Sequence, residues 1–260
     1  MSTVHLVRSL AADPGEPAMH DAIAQALGVL DGAGIRWCLL RGAQELDLVD
    51  GDVDLLVSRS ELGRLRHRLV ASGGLSPLSS WGRRPHSFYV GPVAGEDDAV
   101  LKLDVVDELA FGPYGELPTG AADQVLAGRR RQGDLWLPAP ADAFWSLLLH
   151  ALMDKGRVRE ERARELVALA PAARDERSAL RDVVDAACPG GWGSARVLDA
   201  VEHRAWDELL ALAPLLRDRW PGTTRARRAG RVAARRLLRK ASRLQQRGSM
   251  TSNRRPRSTG

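Results

Sequence analysis

The chain has 260 residues, 44% of them hydrophobic, with 38 Lys and Arg against 33 Asp and Glu. That apolar content can bury one large core or two modest ones, and it excludes a chain that is disordered or fibrous in its main part. No apolar run approaches the roughly 20 residues that cross a bilayer, and the opening MSTVHLVRSLAADPGEPAMHD breaks at Asp13 and Pro14 without a signal-peptide core, so the expectation is a cytoplasmic protein.

Two cysteines, Cys38 and Cys188, give neither a disulfide framework nor a zinc spacing. The net charge of +5 is divided unevenly. Asp218 is the last acid, the residues beyond it carry 14 of the 38 bases, and the other 24 bases face all 33 acids, leaving the body at −9.

In chain order, MHDAIAQALGVLDGAGI carries Ile23, Leu27 and Leu30 at helical spacing and stops at Gly32 and Gly34, which predicts a helix. IRWCLL predicts a strand. After Arg41-Gly42, a short acidic connection leads to a second strand, DVDLLV. SRSELGRLRHRLVASGG predicts a helix with Ser58 or Ser60 as N-cap and Gly73-Gly74 as exit. HSFYV and AVLKLDVVDEL, apolar at alternate positions, predict two more strands.

From PADAFWSLLLHALMDKG onward the pattern is helical, with segments near 141–155, 158–170, 174–187, 194–202 and 204–218, punctuated by Pro171, Pro189-Gly190-Gly191 and Pro214. The expected fold is α+β. It comprises a small mixed, twisted sheet flanked by helices over 1–138, a helical domain over 139–220, and a basic amphipathic helix with a disordered tail over 221–260.

The acids of this chain are placed unusually. Asp52 and Asp54 lie two apart on a strand, so both leave one face while Val53 and Leu55 leave the other. An unpartnered buried carboxylate is costly, so a cation should meet them. Asp104 in LKLDVV sits in the same kind of place, sharing a face with Lys102 and Val106, whereas Leu101, Leu103 and Val105 share the opposite one. If the two strands are neighbours, three carboxylates converge. Hard oxygen donors of this kind suit Mg2+, and a pair of such ions serves phosphoryl and nucleotidyl transfer.

The combination of RGA at Arg41–Ala43, DVD at Asp52–Asp54 and LDV around Asp104 resembles the nucleotidyltransferase superfamily typified by DNA polymerase beta and the aminoglycoside nucleotidyltransferases. The nearest likeness is to its bacterial uncharacterised nucleotidyltransferase-like branch, where a segment similar to LWLPAPADAFWSLLLHALMDKG opens a helical half. The resemblance covers roughly residues 20–156 and includes a short helical interval between the Gly turn and the Asp-x-Asp strand.

It implies a Mg2+-dependent enzyme with two ions, Mn2+ being the substitute, that binds a nucleoside triphosphate such as ATP. An acceptor oxygen would attack the α-phosphate in line and release pyrophosphate. By resemblance, Asp52 and Asp54 bind both metals, Asp104 binds one and helps deprotonate the attacking hydroxyl, and the turn at Gly42-Ala43 holds the triphosphate. Ala43 stands where the family has serine, so that hydroxyl contact is missing, although Gly42 still lets backbone N–H groups approach a phosphate. Arg41, Arg83, Arg84 and Lys155 are the candidates for further phosphate contacts.

Each assignment has a plainer rival. Asp107 and Glu108 would make Asp104 part of an acidic surface patch, Lys102 pairs with a sheet acid, and Arg83-Arg84 form an exposed turn. His150, four residues before Asp154 on an apolar helix, reads as a satisfied helix-packing histidine or a structural contact to Asp154, and His86 has no stronger claim.

In the basic segment, Ala226, Ala229, Ala233, Leu237, Ala241 and Leu244 form a narrow apolar stripe on an arginine-covered helix. It suits the anionic inner face of a membrane or an acidic partner in preference to nucleic acid, because no aromatic follows Trp220 to stack on bases. Two functional classes result. One is a nucleotidyltransferase whose acceptor is a small molecule, a sugar derivative or a protein, and the other is a non-catalytic relative that keeps the fold as a binding or scaffold module.

Overall fold

The computed structural model describes residues 19–49, 51–72, 74–78, 86–96, 98–113 and 115–222, with residue 230. Arg83, Arg84, Gly73 and, Gly230 apart, the basic segment beyond Gly222 lie outside the described residues. Met1–Pro221 form one compact unit and Gly222–Gly260 a second. Among the described residues no helix is long and apolar enough to cross a membrane.

The first unit mixes α and β. Helix α1 (Asp21–Gly32) begins where His20 Nδ1 accepts the Ala22 N–H, and buries Ile23, Ala26, Leu27 and Leu30 along one stripe. Strand β1 (Trp37–Leu39) pairs antiparallel with β2 (Asp52–Val57), and a 3-10 turn then leads into α2 (Leu62–Ala71). Strands β3 (Ser76–Pro77), β4 (His86–Pro92) and β5 (Val100–Val106) complete a five-stranded sheet of order β1-β2-β5-β4-β3. Only β2 and β5 run parallel; the other neighbouring pairs are antiparallel.

Two expectations for this half are corrected. Among the described residues, the interval between Gly42 and β2 holds turns and no helix. Neither Ser58 nor Ser60 caps α2 with its side chain: the residue before the helix is Glu61, and Ser58 Oγ is occupied by Arg36, Ser60 and Asp123.

The two faces of the sheet meet different partners. Trp37, Leu39, Val53, Leu55, Val57, Leu103 and Val105 face α1 and α2 in one apolar cluster. Cys38, Leu56 and Val106, on the opposite face, belong to a second cluster built mainly by the helices that follow. The apolar core therefore crosses the junction near residue 139, with Leu56 and Val106 packed in the same cluster as Phe144, Trp145 and Leu148.

Between sheet and helices lie the hairpin β6 (Ala110–Phe111) and β7 (Leu117–Pro118), helix α3 (Ala122–Gly128), and the hairpin β8 (Arg130–Gln132) and β9 (Leu135–Leu137). Helix α4 (Pro140–Leu149) passes into a π turn, His150–Lys155. Helices α5 (Glu160–Asp175), α6 (Ala179–Ala187), α7 (Ser194–Glu202) and α8 (Trp206–Arg219) follow.

Pro171 and Pro214 do not end their helices but lie inside α5 and α8. Both prolines are exposed, while Ala170, Ala173, Leu212 and Leu216 hold the buried side, so the missing backbone bond falls where water can satisfy the freed carbonyl. The helix expected from 174 begins only at Ala179, because Ser178 Oγ accepts the N–H groups of Leu180 and Arg181 and sets the cap there.

Ser178 also donates its hydroxyl to Asp142 Oδ1 at 2.6 Å, joining α4 to the start of α6. Burial pushes the Asp142 carboxyl above its ordinary value of 3.8, with the Ser178 hydrogen bond working the other way. An acid raised in the folded state gives its full contribution below the unfolded pKa and loses it as pH rises through the folded one. The urea midpoint of the wild type should therefore fall relative to that of Asp142→Asn between pH 4 and pH 7. A constant difference between the two proteins would contradict this.

The thiols give another check. Burial pushes Cys38 to about 12 and Cys188 to about 11, so neither supplies thiolate near neutral pH. Native protein should resist thiol labelling at pH 8, and both cysteines should label once the chain is unfolded. Labelling of native Cys38, which is fully buried, would mean that the core around it opens.

Candidate functional site

The parallel register of β2 and β5 sets Asp52 opposite Lys102, Asp54 opposite Asp104, and Leu56 opposite Val106. Strand periodicity then puts Asp52, Asp54, Lys102 and Asp104 on the face that carries Leu56 and Val106. The helical half covers the far part of that face through Cys38, Leu56 and Val106. The acids occupy the rest, at the end where β1 leaves the sheet and Leu40 N–H bonds to Asp54 O.

Each acid already has a basic side chain beside it. Arg41 grips Asp54 with both prongs of its guanidinium, Nε to Oδ2 at 2.7 Å and Nη2 to Oδ1 at 2.9 Å. Two parallel charge-assisted bonds of this kind are the strongest pairing a carboxylate makes with a side chain. Asp104 is buried, and His86 Nδ1 lies 2.9 and 3.0 Å from its two oxygens. The His86 ring stacks on Phe88, which pairs with Asp104 across β4 and β5. Asp52 is half exposed, and Lys102 Nζ stands 3.9 Å from it.

Asp107 is buried too, which removes the surface-patch reading of this strand end. Burial raises its pKa, and Arg59, with Nε 3.7 Å from Oδ2, opposes that rise.

Around the acids stand the other sequence candidates. Gly42 has φ +79, a conformation open to glycine, and Glu45 N–H closes the following turn onto Gly42 O. Ala43 packs against the α1 and α2 cluster, so its side chain faces apolar groups. Lys155 is exposed at the end of the π turn. That turn is pinned by Asp154, which accepts the Gly112 N–H at 2.5 Å and meets His150 Nδ1 at 2.7 Å.

Two partners escaped the sequence reading. His86 lies on a strand whose register no local pattern reveals. Arg162, from α5, stands 3.7 Å from Glu45 and so ties the helical half to the loop after Gly42. Beside Lys102 opens a hollow of about 750 Å³, whose lining includes Leu48, Val49, Val100 and His20.

The donor set of Asp52, Asp54 and Asp104 is all carboxylate oxygen, the type that Mg2+ takes. Among the described residues, no three His, Cys, Asp or Glu side chains are grouped closely enough to share an ion. The contacts explain this: Asp54 is turned onto Arg41, Asp104 onto His86, and Asp52 toward Lys102. The donors fit a divalent cation in chemistry, and such an ion would replace their present side-chain partners Arg41, His86 and Lys102. No protein-family model matches the chain, and no curated protein matches it.

Proposed function

We propose that the chain is a metal-dependent nucleotidyltransferase that moves a nucleoside monophosphate from a nucleoside triphosphate to an acceptor hydroxyl, the acceptor being a small molecule, a sugar derivative or a protein. The observation that carries this reading is the β2–β5 register, in which Asp54 faces Asp104 across parallel strands while Asp52 leaves the same face. A sheet has no packing reason to hold three carboxylates there unless a cation is to be held with them.

Asp52, Asp54 and Asp104 would hold the metal, which when bound neutralises charge developing on the transferring phosphate. Asp104 would also take the proton of the attacking hydroxyl, with His86 orienting its carboxylate. Backbone N–H groups at Gly42-Ala43, Arg41 and Lys155 would contact the phosphates, Arg83 and Arg84 being further candidates. The hollow beside Lys102 offers room for the organic part of a substrate. The basic segment beyond Gly222 would bring the enzyme to an anionic membrane face or an acidic partner.

A second reading has its own support. The Arg41–Asp54 and His86–Asp104 pairs satisfy both inner carboxylates without any metal, as a non-catalytic binding module would require. Incubation with nucleoside triphosphates labelled at the α-phosphate, Mg2+ and a metabolite pool separates the two. The enzyme should pass the α-label, but no γ-label, to a new product, and Asp104→Asn should abolish it. Absence of product with every nucleotide, from folded protein that still binds nucleotide, would favour the binding module.

A further inference from the structure

We propose that Arg41 is a displaceable counter-cation that makes the acid face accept a divalent metal together with a polyphosphate and refuse the bare ion. The inference rests on the nucleotidyltransferase reading and adds to it an order of entry. Of the three carboxylates, Asp52 is half exposed with a cation only at 3.9 Å, whereas Asp54 is largely buried and held bidentate at 2.7 and 2.9 Å. Admission of a metal is therefore decided at Asp54.

A bare divalent ion must break both bonds and leave a partly buried guanidinium with no anion, a state in which a charged group loses most of its compensation. A metal that arrives with a polyphosphate changes the balance. Guanidinium binds phosphate oxygens through the same planar fork that it offers a carboxylate, so Arg41 exchanges one anion for another while Asp54 is released to the metal.

Arg41 sits where this exchange needs little movement. It is the residue after Leu40, whose N–H is bonded to Asp54 O, and it precedes Gly42, where the backbone turns with φ +79. The exchange makes metal and nucleotide bind cooperatively, and the coupling is reciprocal. Lys102 and His86 cannot take this part, because neither offers a two-pronged donor.

The test is Mn2+ binding to the full chain, followed by electron paramagnetic resonance, with the ion alone and with a nonhydrolysable nucleoside triphosphate. Wild type should bind Mn2+ alone weakly and Mn2+ with nucleotide strongly. Arg41→Ala should bind Mn2+ alone about tenfold tighter and lose about tenfold of the enhancement that nucleotide gives. Arg41→Lys, which keeps the charge and loses the fork, should fall between them and decides the matter if the alanine variant does not fold. Equal affinity for bare Mn2+ in wild type and the folded variants, with nucleotide-dependent binding that still needs Asp54, would overturn the gate and leave the nucleotidyltransferase reading standing. No Mn2+ binding by any of the proteins with nucleotide present would overturn both.

Discussion

Asp54→Asn should lower Mg2+-dependent nucleotide binding by at least about a hundredfold, since it removes a charge from the centre of the donor set and leaves Arg41 facing a neutral amide. The same change should cost about 1 kcal/mol of stability, because a bidentate pair with both partners partly covered is lost. Asp52→Asn provides the contrast. Its carboxylate is half exposed and its cation is 3.9 Å away, so stability should stay within about 0.5 kcal/mol of wild type. Nucleotide binding should nevertheless fall. Titration of Mg2+-nucleotide into both variants, alongside urea unfolding, separates a binding role from a structural one: binding that follows stability and nothing else would make these carboxylates ordinary ion-pair residues.

Gly91→Ala is expected to be the most damaging single substitution of the sheet. A Cβ at Gly91 would fall on the Gly74 carbonyl oxygen, with the Gly74 carbonyl carbon at 2.8 Å, so the obstacle is backbone that cannot rotate away. Either β4 or the segment leading into β3 must shift, at a cost of roughly 3 kcal/mol or more. For a chain of this size that corresponds to a fall in Tm of roughly 6–12 °C. Gly63→Ala is the control. Gly63 lies inside α2, and a Cβ there meets nothing within 4 Å, so the helix should gain about 0.5–1 kcal/mol. Calorimetry on the two variants should give shifts of opposite sign.

These residues also show how far the sequence could be followed. The alternation in LKLDVV and DVDLLV assigned faces correctly: Leu101, Leu103 and Val105 lie with α1 and α2, and Val106 lies on the acid face with the helical half. A period of two is a local property, so it is visible without knowing what lies across the strand. The partners of the acids were not visible. That Arg41 closes on Asp54, and His86 on Asp104, depends on strand pairings across 13 and 18 residues, which follow from register.

The helical half shows a different limit. Pro171 and Pro214 carry a strong stop signal, yet both fall on solvent-facing positions where apolar packing on the opposite side outweighs one lost bond. Ser178 is a local N-cap signal inside the segment expected to be helical from 174, and its hydroxyl, by accepting the Leu180 and Arg181 N–H groups, sets the start at Ala179. The short hairpin of β8 and β9 turns at Gly133-Asp134 between strands of only three residues, too short for a periodic pattern.

The central claim is that the acid face holds a metal with a nucleotide, and isothermal titration addresses it most directly. The purified chain is titrated with nonhydrolysable nucleoside triphosphates in the presence and absence of Mg2+, beside a variant carrying both Asp52→Ala and Asp54→Ala. The account predicts binding that requires Mg2+ and is lost in the folded double variant. Binding that persists without Mg2+, or survives loss of both carboxylates, would contradict it.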